Sequence, residues 1–137
     1  MSWREHASEE AQADLDELVG IALERAETAL EENGALWPFS VGVKKDGTKA
    51  VGMVPDSIDT AEHVERLERA LKKARDDYRA IALVKDVQLR GQDADAIWVD
   101  LCHSEGPSMT CYLPYSIVRK KVVVGEMGAQ ACDNHFW

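Results

Sequence analysis

The stretch from Tyr78 to Ser116, YRAIALVKDVQLRGQDADAIWVDLCHSEGPSMTCYLPYS, decides the fold. It reads as three consecutive β-strands in which apolar residues fall on alternate positions. Ile81, Leu83, Val87 and Leu89 share one face of the first strand. Ile97, Val99 and Leu101 share one face of the second, and Met109, Cys111 and Leu113 one face of the third. Successive side chains of a strand point to opposite faces, so this alternation is what half-buried antiparallel strands require. Gly91-Gln92-Asp93 turns the first corner and Glu105-Gly106-Pro107 the second.

Working outward toward the N-terminus, Val64, Leu67, Leu71, Ala74 and Tyr78 recur at three- and four-residue steps. They predict a helix with an apolar seam, capped by Asp59 with Glu62 three residues on. Before it, Phe39 to Lys44 and Thr48 to Val54 flank Lys45-Asp46-Gly47 and predict a hairpin. A two-residue loop would set Val41 opposite Gly52. A three-residue loop with Gly47 left-handed sets Val41 opposite Val51 and Phe39 opposite Met53. The second register places apolar beside apolar and is preferred. A first helix begins between Ser2 and Ser8 and runs to Asn33-Gly34, with Ser2 and Glu5 as a candidate capping box. Leu15, Leu18, Ala22 and Ala29, beside Val19 and Ala26, form its apolar stripe. Beyond Tyr115, Arg119 to Val124 reads as a sixth strand or a strand-like tail, and Gly125 to Trp137 as irregular.

The predicted order is α-β-β-α-β-β-β. Strands in hairpin groups leave no crossover helix for a parallel sheet. The expected class is α+β, with an antiparallel sheet of about five strands and helices packed on it, in one domain over 1–137. Roadblock and profilin-like domains share this element order, an analogy of fold that carries no activity. The chain also resembles a group of uncharacterised bacterial proteins. The resemblance rests on Trp37-Pro38-Phe39 leading to Asp46-Gly47, and Tyr78-Arg79-Ala80-Ile81-Ala82-Leu83 leading to Asp86-Val87. Asp95-Ala96-Ile97 leading to His103, and Leu113-Pro114-Tyr115, complete it. It spans Trp37 to Tyr115 and implies no activity.

Composition narrows the class. The chain has 137 residues, 45% hydrophobic and 30% charged, as in an ordinary soluble domain. No run of about 18 apolar residues exists, so no membrane contact is expected. Met1 to Glu10 lacks the basic start and apolar stretch of a secretory signal, which makes the cytoplasm the expected compartment. The net charge is −9. Nearly all of it sits in residues 1–33, where two basic residues (Arg4 and Arg25) face ten acidic ones. Nucleic-acid binding is not expected of such a surface. The acidic helix face is read as a solvated surface, with docking of a basic partner as the sharper alternative.

Candidate chemistry is sparse. Three cysteines do not make a disulfide framework. Cys132 and His135 have the spacing of half a metal clamp, and Cys102, His103 and Cys111 sit on one hairpin. Pairing Val99 with Leu113, Leu101 with Cys111 and His103 with Met109 matches apolar residues best. It puts Cys111 on the core face and Cys102 on the other, so the two share neither a metal nor a disulfide. No metal and no cofactor are expected. His103 and Cys102, adjacent on a strand, cannot form a base–nucleophile pair. His103 diagonal to Cys111 is read as a satisfied histidine at a strand end. Asp86 and Asp100 are placed on the face opposite the main apolar set, as solvated residues. Gly42, Gly47 and Gly52 belong to a hairpin and make no phosphate loop.

The remaining feature is aromatic. Trp98 and Tyr112 fall opposite Ile97 and Val99, on a face assigned also to Val84 and to Ser40, Gly42 and Ala82. If both helices covered one side of the sheet, Trp98, Tyr112 and Val84 would form an interaction face, unless the C-terminal tail covers it. Arg119-Lys120-Lys121 reads as a guard on a sheet edge. The expected role is therefore a small acidic protein–protein interaction domain, binding a protein partner or a second copy as a homodimer. An accessory or immunity-like protein would fit. The rival class is an enzyme or small-molecule binder with a site on the sheet face.

Overall fold

The computed structural model describes residues 7–53, 60–89, 94–134 and 136–137. Helix α1, Glu9–Asn33, starts where the extended Ser8 accepts the Ala11 amide on its hydroxyl, and stops at Gly34. Gly34 adopts φ 69° and returns its N–H to the Leu30 carbonyl, a left-handed cap that glycine enters without strain. The Ser2–Glu5 capping box lies outside the described residues.

Strands β1, Phe39–Lys44, and β2, Lys49–Met53, pair in the expected register, Phe39 with Met53 and Val41 with Val51. Gly47 is left-handed at φ 91°, and Asp46 accepts the Thr48 amide at 2.9 Å and its hydroxyl at 2.7 Å. Helix α2, Thr60–Ala74, ends in one 3-10 turn, Arg75–Asp77. Its expected cap, Asp59, lies outside the described residues. Tyr78 opens the next strand instead of closing the helix seam. Its ring fills the space that a side chain at Gly42 would need.

The meander follows as β3, Tyr78–Leu89, β4, Ala94–His103, and β5, Ser108–Val118. The expected first corner, Gly91-Gln92-Asp93, is outside the described residues. At the second, Gly106 is left-handed at φ 117° and the His103 amide bonds the Pro107 carbonyl.

Among the described residues the expected five strands become seven. Strands β6, Lys121–Val124, and β7, Gly128–Ala131, both pair with the outer side of β5. The full order is β2-β1-β3-β4-β5-β6, with β7 beside the other half of β5, all antiparallel. Arg119 and Lys120, at φ 52° and 66°, form the two-residue turn into β6. Gly125, Glu126 and Met127 then face only Leu113 and Pro114, an extra residue that bulges the strand. β6 falls within the stretch expected as a sixth strand or strand-like tail, whereas alternation is absent in the Gly-Ala sequence of β7, which is why Gly125 to Trp137 reads as irregular.

Pairing of β4 with β5 keeps the expected faces but slides by two residues. Ile97 meets Leu113, Val99 meets Cys111 and Leu101 meets Met109. Apolar matching cannot separate registers two residues apart, because both keep every side chain on its face. The turn at Ser104–Pro107 decides it.

The larger correction concerns the layers. The helices lie on opposite sides of the sheet. On one side, Leu15, Leu18, Ala22, Ala26 and Leu30 of α1 pack on Ala80, Ala82, Val84, Val99 and Leu101. On the other, Leu67 and Leu71 of α2 pack with Ile81, Leu83, Cys102 and Phe136. β3 is apolar on both faces because it lies under both helices. Ile81 and Leu83 share a face, as expected, but it is the α2 face, opposite the one that carries Ile97, Val99 and Leu101. Val84 pairs with Val99 under α1, fully buried, so neither it nor Ala82 belongs to the Trp98 face. For the same reason Asp86, paired with Ile97, lies on the α1 side while Asp100 lies on the other.

Candidate functional site

A half-open groove of about 770 Å³ runs between the C-terminal half of α1 and the β1–β2 hairpin. Its floor is apolar: Leu36, Phe39 and Val51, with Ile21 and Ala29 from the helix. Leu36 and Phe39 are buried, whereas Trp37 and Val51 remain 41% and 40% exposed. The rim carries Glu24 and Glu32, with Arg25 between them in sequence. At the end nearer the middle of α1, Glu17 binds Lys49 of β2 at 2.7 Å. The local sequence explains the shape. Gly34 ends α1 and Pro38 is buried as the chain turns into β1, which leaves Trp37 projecting between them.

The groove opens onto the outer side of β2. Lys44 donates to Thr48 at 2.8 Å, and Gly47 donates to Lys44 at 2.9 Å. Lys44 and Thr48 are thus a hydrogen-bonded pair. Such pairs alternate along an antiparallel ladder, so Lys49 and Val51 direct their N–H and C=O groups away from β1. Among the described residues no strand pairs with that side of β2.

The opposite edge is closed by several devices. Glu31 of α1 accepts the outward Val122 amide of β6 at 3.0 Å. β6 and β7 are four residues each, and the bulge separates them. Such features deny an edge to incoming strands.

The aromatic pair predicted from sequence does come together. Trp98 and Tyr112 are directly paired and stack with ring centroids 5.9 Å apart and an interplanar angle of 19°. The Trp98 indole N–H donates to Asp100 at 3.0 Å, and the Thr110 hydroxyl donates to the same oxygen at 2.6 Å. The Tyr112 ring occupies the space above Gly128 of β7. Both rings are half-buried. Val84, the third member, is on the far side of the sheet.

His103 is buried at 2% exposure and fully engaged. Its Nδ1 accepts the Glu105 amide at 3.1 Å, leaving Nε2 to donate to Asp14 at 2.9 Å. Asp14 also receives Arg79 through two bonds of 3.0 Å each. Sequence patterning does not find this cluster, because Asp14 sits at an apolar position of an acidic helix. Neither ring nitrogen faces Cys111. Burial pushes the Cys111 thiol up, with Asp16 and Cys132 adding smaller effects in the same direction. It is the reverse of an activated nucleophile. Cys102 is fully buried on the other face. Among the described residues no three His, Cys, Asp or Glu side chains converge as metal ligands, and no helix is long and apolar enough to cross a membrane. His135, half of the suggested clamp, is outside the described residues.

Asp86 is the other polar group of note. One carboxylate oxygen accepts the Tyr115 hydroxyl at 2.9 Å. The other is buried without a hydrogen-bond partner. Burial raises the Asp86 carboxyl above its usual range, Tyr115 opposes this and Asp95 adds to it.

Compared with known proteins, the chain matches no family model, no curated protein and no solved structure.

The groove was not legible as a site. Its signals are present separately: the Trp37-Pro38 pair after a helix stop, Ile21 beside the stripe of α1, and Ala29, which is expected in that stripe but lies half-buried at its flank while Ala26 and Leu30 take the core. Nothing in the linear pattern brings Val51 beside them.

Proposed function

We propose that this protein is a small acidic protein–protein interaction domain, and that its docking surface is the groove between α1 and β2. One observation carries the reading: an apolar trough with Trp37 and Val51 exposed lies beside the most acidic element of the chain. Apolar anchors surrounded by a charged rim are the usual anatomy of a protein-binding surface. The half-open form favours a passing chain over an enclosed small molecule, since small-molecule sites bury most of their ligand. The acidic rim favours a basic partner and does not suit phosphate.

Selection of random peptides displayed on phage tests this. Enriched peptides are expected to shift the Trp37 indole resonance and to lose binding to Trp37→Ala. Selection that yields no ligands, or ligands indifferent to Trp37, overturns it. A small molecule that displaces all selected peptides and is engulfed by the groove would instead favour the rival class.

The homodimeric form of this reading rests on a different surface. On the β5–β6 hairpin, Ile117 and Val124 on one face and Val118 and Val123 on the other are 40% to 52% exposed. Light scattering across a concentration series decides it, and a monomer at high micromolar concentration removes it.

A further inference from the structure

We infer that the groove takes an extended basic segment of a partner protein, added as an eighth strand along β2, with aliphatic side chains on the groove floor and lysine or arginine against Glu24 and Glu32. This rests on the interaction reading above and specifies its partner.

Three independent features point the same way. The first is backbone chemistry. Lys49 and Val51 turn their N–H and C=O groups to the outer side of β2. Unpaired backbone groups on an edge are a template for another strand. The second is the contrast between the two edges. At β6 the outward Val122 amide is plugged by Glu31, and the strand is cut short by a bulge. Among the described residues no strand pairs with the outer side of β2, beside a groove. The third is register of side chains. Val51 lies opposite Val41 on the α1 side and reaches the groove. A strand laid beside it alternates likewise, so every second residue enters the groove and the others face away. Aliphatic residues suit the positions over Phe39 and Leu36.

Charge then selects among extended segments. The described part of α1 exposes Glu9, Glu10, Asp16, Glu17, Glu24, Glu31 and Glu32 against the single cation Arg25. Glu17 is held by Lys49 at one end, so Glu24 and Glu32 are the groove-lining carboxylates that meet the ligand. An acidic segment would be repelled along the whole helix.

The test uses the intact protein and a synthetic peptide with threonine at every second position and, at the groove-facing positions between, valine in the middle and lysine toward both ends. Three relatives accompany it: one with glutamate for lysine, and two N-methylated at one or the other alternate set of amides. Nuclear magnetic resonance follows the β2 amides. Binding of the basic peptide is expected to slow hydrogen exchange at Lys49 and Val51. The glutamate peptide is expected to bind at least about tenfold more weakly at low salt, with the gap closing as salt rises. One of the two methylated copies should lose binding and the other keep it, because only one set of amides faces β2. Val51→Pro, which removes an outward N–H, should mimic that loss. If Val51→Pro does not fold, the methylated peptides read the same bond from the other partner. Equal binding by both methylated copies and the parent, equal binding by the glutamate peptide, or no binding of the basic peptide overturns the inference. Trp37-dependent ligands from the phage selection that lack lysine and arginine would leave the interaction reading standing and remove only this one. A selection without ligands removes both.

Discussion

Asp86 holds two oxygens in different circumstances, one bonded to Tyr115 and one buried with no partner. A buried charge without full hydrogen bonding is unfavourable, and the group responds by holding its proton more tightly. Its carboxyl is therefore raised from 3.8, chiefly by burial. The folded chain binds this proton more strongly than the unfolded one. Stability on this account is present at acid pH and is lost as pH climbs from 3.8 through the raised value. Asp86→Asn removes the charge and leaves an acceptor for Tyr115. It is expected to raise the denaturation midpoint at pH 7, with the gain vanishing below the ordinary aspartate range. A pH series of urea melts checks this, and a variant less stable than the parent at pH 7 would contradict it. No sequence pattern marks Asp86 as unusual. Its burial comes on the α1 side of the sheet, the face that alternation in β3 did not assign to it.

Among the elements, the β5–β6 hairpin is held by a costly turn. Arg119 and Lys120 both take left-handed backbone angles. This two-residue turn matches the twist of the strands it joins, but side chains with a Cβ are strained there. Lys120→Gly is expected to stabilise the protein by about 1 kcal/mol, less the entropy glycine adds to the unfolded chain. A calorimetric midpoint unchanged or lowered would mean the turn is not strained. Elements were the scale at which the sequence spoke most clearly. Tyr78 to Ser116 gave three strands within a residue or two, and apolar pairing fixed β1 against β2. Both signals are local. The slide of β5 along β4 and the split of the tail into β6 and β7 depend on turn geometry and on Pro114, whose carbonyl receives the Gly125 amide at 2.8 Å. Alternation carries no information about either.

At the scale of the whole molecule, the sheet is sandwiched, and one polar cluster ties its layers. Asp14 near the start of α1 receives Arg79 from β3 and His103 from β4. Asp14→Ala would strand the buried His103 donor, while Arg79, partly exposed, regains water. The expected loss is about 2 kcal/mol, read as a lower denaturant midpoint with an unchanged slope. Asp14→Asn, which retains an acceptor, should lose less. A midpoint for Asp14→Ala within error of the parent would show that α1 is held by its apolar stripe alone. The sandwich itself was hidden because a strand covered on both faces looks, residue by residue, like one covered on a single face with small residues behind. Ala82 reads as a small residue behind the apolar face, and it is where α1 comes down.

The unequal borders of the sheet have a consequence for stoichiometry. A β-ribbon that offers hydrogen bonds on one flank and carries a stopper on the other can receive one neighbour but cannot hand the contact on. A complex formed through β2 as proposed would therefore be one-to-one. However concentrated the solution, this route ends in a pair and not in a fibre.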